Sequence, residues 1–82
     1  MRVKYAKALR LREIRDGTLG SRIKQLRYER HWTQKHLASY MGFDQGHIAE
    51  HETNAVEPRW DNILAYAKAF EMTLSELFEG VS

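Results

Sequence analysis

The segment His47-Ile48-Ala49-Glu50-His51 sets two histidines four residues apart around a glutamate. On a helix that spacing puts both imidazoles on one face, where they could share a zinc ion. The order H-x-x-E-H is that of inverted zinc peptidases. Such chemistry also needs a third ligand, a substrate cleft and a much larger scaffold. Ile48 and the helical pattern around it account for the segment without metal, so no metal, no cofactor and no enzymatic activity are expected. His31 and His36 read as surface residues. No Ser-His-Asp arrangement, glycine-rich phosphate loop or carboxylate pair stands out.

Thr33, Gln34 and Gln45 suggest a different chemistry, because each stands at the start of a helical pattern. Free N–H groups at a helix N-terminus attract phosphate. A glutamine side chain can bond adenine through two atoms in the DNA major groove. The elements that would position these groups are legible in TQKHLASYMGFDQGHIAEHE, residues 33–52. Thr33 is a good N-cap for a helix from Gln34 to Met41. Gly42 follows where a left-handed C-terminal position wants glycine. Asp44 can cap a second helix from Gln45 to about Glu52. Leu37, Ala38 and Met41 form one apolar face, with Phe43 and Ile48 as the facing contact. Two helices joined by a glycine turn at this spacing form a helix-turn-helix, whose second helix enters the major groove.

With 82 residues the chain makes one small domain with a modest core and little room for a large cavity. It has no cysteine, hence no disulfide framework and no thiolate metal site, which fits a cytoplasmic location. The charged start MRVKYAKALRLR is not a signal peptide. No run approaches the roughly 18 apolar residues of a membrane span, so no membrane association is expected. The charge is unevenly placed. Residues 1–41 carry 11 basic and 3 acidic side chains, and residues 42–82 carry 2 basic and 8 acidic. That asymmetry suggests a basic surface for an anionic partner. Neutralisation of one half by the other in the fold explains it equally well.

Three more helices are expected. The first begins at Thr18 or Ser21, places Leu19, Ile23 and Leu26 inward and runs to about Arg30, before Trp32 as a core residue. The fourth spans about Pro58 to Phe70, with proline in its first turn and Ile63, Leu64, Ala67 and Phe70 inward. Trp60 and Tyr66 are expected to border an interface. The fifth opens with a capping box, Thr73 and Glu76, and uses Leu74, Leu77 and Phe78. Residues 1–17 form a basic extension with Arg2, Lys4, Lys7, Arg10, Arg12 and Arg15. Val3, Tyr5, Leu9 and Leu11 alternate with basic residues there, which reads as either a short strand or a free basic arm.

From about Leu19 to Phe78 the chain resembles the Xre/Cro family of phage-repressor-like helix-turn-helix domains. LGSRIKQLRYER is similar to the family's first helix, WTQKHLASYMGF to its second helix and turn, and EPRWDNILAYAKAFEMTLSELF to its last two helices. The resemblance implies an all-α, five-helix, lambda-repressor-like domain over residues 18–80, with the basic extension at 1–17. It also implies that Gln34 contacts the phosphate backbone while bracing the third helix. Gln45, Gly46 and Glu50 fall where the family reads bases. Gly46 can only let the backbone approach, whereas Glu50 can accept from cytosine N4. His47 shares that face. Thr33 and Lys35 join the phosphate contacts of the second helix. Arg27 and Glu52 match a partly buried ion pair between the first and third helices.

The chain departs from the family in three places. The loop after the third helix, Thr53-Asn54-Ala55-Val56-Glu57, lacks a basic residue. Asn54 can still take the left-handed conformation and is expected among the DNA-binding residues, and Arg59 recovers one DNA contact. His51 stands where an apolar residue is usual, and Ala49 where a serine is common. The resulting expectation is a sequence-specific double-stranded DNA-binding transcriptional regulator, a repressor acting as a homodimer on a palindromic operator. Leu74, Phe78 and Val81 are candidates for the dimer contact. The alternative is an antitoxin or protein-interaction module whose partner is a toxin protein.

Overall fold

A computed structural model describes residues 17–82. The strand-or-arm reading of the N-terminal extension falls on residues outside that range. The described residues form five helices and no strand: α1 (Leu19–Glu29), α2 (Gln34–Met41), α3 (Gln45–Glu52), α4 (Trp60–Phe70) and α5 (Leu74–Leu77).

Local sequence explains most of the boundaries. Thr18 caps α1 by accepting from Ser21 N–H at 3.1 Å, and Thr33 caps α2 by accepting from His36 N–H at 3.0 Å. Gly42 ends α2 with φ of 70°, a conformation that costs other residues a clash at Cβ. Thr73 and Glu76 form the expected capping box, with the Thr73 N–H donating to Glu76 at 2.8 Å and the Glu76 N–H to Thr73 at 3.1 Å.

The core joins Ile23 and Leu26 of α1, Leu37 and Ala38 of α2, Ile48 of α3, Tyr66, Ala67 and Phe70 of α4, and Leu77 of α5. Five expectations are corrected. Pro58 stands outside α4, because Arg59 is extended (ψ 166°) and the helix starts only at Trp60. Leu64 faces solvent. The inward arc of α4 is Ile63, Tyr66, Ala67 and Phe70, at i, i+3, i+4 and i+7, and Leu64 lies one step off it. Tyr66 is accordingly core rather than interface. Trp32 is half-buried, stacked on Phe70 with ring centroids 5.9 Å apart. Asp44 holds the N-cap position of α3 but makes no side-chain capping bond.

Candidate nucleic-acid interface

Helix α3 is short and polar, and only Ile48, His51 and Glu52 of its eight residues are buried. Two polar attachments hold it. Glu52 receives both ends of the Arg27 guanidinium, Nε donating to Oε2 at 2.5 Å and Nη2 to Oε1 at 2.8 Å. Arg27 Nη1 also donates to the Trp32 carbonyl at 2.9 Å, and Tyr28 lies under the guanidinium. Burial alone would lower the Arg27 pKa, but the bonds and charge of Glu52 raise it above its ordinary value. The pair expected from resemblance is therefore present, in the bidentate geometry that guanidinium and carboxylate favour.

The second attachment was not foreseen. His51 is 2% exposed, and its Nδ1 shares a 2.6 Å hydrogen bond with the Tyr66 hydroxyl of α4. Burial lowers the His51 pKa, the nearby His47 lowers it further, and Glu50 opposes both. Burial and the charge of Glu52 raise the Tyr66 pKa. Both partners are thus neutral near pH 7. The signal in the sequence was His51 itself, a polar residue where the pattern calls for an apolar one.

Glu52 passes its orientation outward. Gln34 Nε2 donates to Glu52 Oε1 at 3.1 Å, and Gln45 Nε2 donates to Gln34 Oε1 at 3.2 Å. One chain of hydrogen bonds runs from the buried Arg27 through Glu52 and Gln34 to the exposed amide at the start of α3. Gln34 and Gln45, singled out separately in the sequence, are brought together. Gln45 keeps Oε1 and one Nε2 hydrogen free of that chain.

The other expected site residues are placed as follows. Lys35 is exposed at the N-terminus of α2. Gly46 faces open space, since a Cβ built there would meet nothing within 4 Å. Exposed His47 lies 3.8 Å from the Asp44 carboxylate. Glu50 and Arg59 line one groove with His47, Asp44, Glu57 and Asp61. Four acids to one arginine make that groove unfavourable to phosphate, except where Arg59 stands.

Asn54 is set apart from this group. It takes the expected left-handed backbone (φ 65°). Its amide, however, ties the loop to α1, accepting from Gly20 N–H at 3.2 Å and donating to Thr18 Oγ1 at 3.0 Å. Gly20 permits that approach, because a Cβ there would strike the carbonyl of His51 and the Asn54 side chain. The two histidines of the H-x-x-E-H segment are separated by environment, His47 in solvent and His51 in the core. No group of three His, Cys, Asp or Glu among the described residues could hold a metal.

The family described as Cro/C1-type HTH DNA-binding domain matches residues 22–81. The chain matches no curated protein. No helix among the described residues is long and apolar enough to cross a membrane.

Proposed function

The chain belongs to the Cro/C1-type helix-turn-helix family of DNA-binding domains, and from that premise we propose that it is a transcriptional repressor reading a palindromic operator as a homodimer. The observation that carries this reading is the Gln34–Gln45 hydrogen bond, anchored on Glu52. A free glutamine must give up side-chain freedom to meet a base, at up to about 2 kcal/mol. Gln45 is held in advance. With one Nε2 hydrogen on Gln34, its second hydrogen and Oε1 can meet N7 and N6 of adenine, the bidentate pattern that selects this base.

The remaining roles follow from position. Thr33, Gln34 and Lys35 present the N-terminus of α2, whose N–H groups and positive end suit a phosphate oxygen. Gly46 lets the backbone of α3 approach the groove floor. His47 and Glu50 make secondary contacts, Glu50 as an acceptor for cytosine N4. Arg59 adds a phosphate contact from the start of α4, and Asn54 acts by holding the α3–α4 loop. In a two-fold dimer the half-sites stand one helical turn, about 34 Å, apart. Repression then follows from occupancy of the operator by residues 18–80, with the basic extension 1–17 adding phosphate contacts.

Selection of random-sequence duplexes with the purified protein, repeated with Gln45→Ala, tests this. The expected result is an enriched palindrome whose adenine preference, one position per half-site, relaxes in the variant by about 1–3 kcal/mol. Absence of enrichment at low salt refutes the operator reading. Enrichment unchanged by Gln45→Ala refutes the role of Gln45.

A further inference from the structure

We propose that the homodimer is built on the outward stripe of α4, two copies packing antiparallel about a two-fold axis at Leu64. The inference rests on the homodimer reading above and names its surface. Trp60 is 61% exposed and Leu64 44%, large apolar side chains that α4 turns away from the core. Their i, i+4 spacing places them on one stripe. Lys68 continues that stripe by a turn and Asp61 flanks it, both exposed.

The charges select the occupant as a second copy of this chain. Antiparallel pairing centred on Leu64 sets Leu64 against its own counterpart and residue 60 against residue 68. Trp60 then offers its ring face to Lys68 of the partner subunit, a cation–π arrangement. Asp61, the next residue, is within reach of the same ammonium group. Two-fold symmetry makes each contact twice.

Both charges are available for this pairing. Asp61 accepts only the N–H of its neighbour Asn62, at 3.0 Å, and neither Asp61 nor Lys68 enters an ion pair among the described residues. They cannot satisfy each other within one helix, because they lie seven residues apart and helical neighbours are three or four apart. Complementarity arises only between copies. The stripe is small beside the roughly 800 Å² per partner of a standard interface. Association in free solution is therefore weak, and two half-sites on one duplex strengthen it by raising the effective concentration.

A charge-swap experiment tests the surface. Asp61→Lys and Lys68→Asp each place like charges at both 61–68 contacts, while a mixture of the two variants forms a heterodimer in which both 61–68 charge pairs are again matched. Sedimentation equilibrium is run from micromolar to near-millimolar protein, with circular dichroism confirming that each variant is folded. Each single variant should dimerise at least about tenfold more weakly than the natural chain, because opposed like charges are costly at an interface. The mixture should recover to within about threefold. Leu64→Glu, placing two carboxylates at the axis, should abolish dimerisation and resist rescue by either swap. If the single variants and Leu64→Glu all dimerise like the natural chain, α4 is not the surface, while the homodimer reading stands. If the natural chain stays monomeric throughout and binds a selected duplex as one copy, the homodimer reading falls and this surface with it.

Discussion

Helices α3 and α4 are attached to the same core by opposite means. The core-facing arc of α4 is Ile63, Tyr66, Ala67 and Phe70, whose packing is apolar apart from the Tyr66 hydroxyl that meets His51. On α3 one apolar residue, Ile48, shares the work with Glu52 and His51, each bonded to a partner on another helix. Apolar contacts are non-directional and leave a helix some freedom to roll. Charged and neutral hydrogen bonds restrict angle as well as distance. The element that, on the proposed reading, presents Gln45 to a base edge is the one held by directional bonds. No buried side-chain nitrogen or oxygen among the described residues lacks a partner, and a fully satisfied polar network of this kind rigidifies.

The sharpest way to break this comparison is Glu52→Ala. It strands the buried Arg27 charge and should destabilise the domain by about 3–5 kcal/mol in urea unfolding. Leu64→Ala, on the exposed side of α4, should cost under about 0.5 kcal/mol. Similar costs for the two would mean that the polar attachment of α3 is dispensable.

Tyr66→Phe is the next largest. It keeps the ring and its packing but leaves His51 Nδ1 without its partner, at about 1–3 kcal/mol. A neutral result would mean that the ring alone anchors His51.

Acidification separates the two helices further. The folded pKa of His51 lies below its ordinary value of 6.5. Its stabilisation is therefore complete above about pH 6.5 and is lost as pH falls through the folded pKa. Unfolding free energies followed downward from pH 7 should decline across that window, and His51→Leu should flatten the decline. An unaltered slope in that variant would assign it to other groups.

The smallest expected effect concerns only the outer surface. Lys35→Ala should leave stability unchanged and lower the salt dependence of DNA binding by about 0.9 in slope, the contribution of one phosphate.

How far the sequence could be read depends on the range of the interactions. Thr18, Thr33 and Thr73 were legible as caps because each bonds a backbone N–H three residues away. Asp44 looked like a cap by the same rule, yet its carboxylate makes no capping bond. Residue type at an N-cap is a preference and not a geometry. Leu64 and Tyr66 were misassigned because helical periodicity fixes which residues share a face, while the start and roll of the helix decide which face turns inward. The extended Arg59 moved that start to Trp60.

By itself the sequence determined the five helices, the left-handed turn at Gly42, the core positions at Ile23, Leu26, Leu37 and Ile48, and the family. These depend on local spacing and capping, which are written in consecutive residues. Only tertiary structure decided that Glu52, Gln34 and Gln45 form one bonded chain, that His51 finds Tyr66, and that Trp60 and Leu64 remain uncovered. The bonded partners lie 11 to 18 residues apart. Their meeting depends on the angles at which the helices pack, and those angles follow from the sum of all core contacts rather than from any one segment.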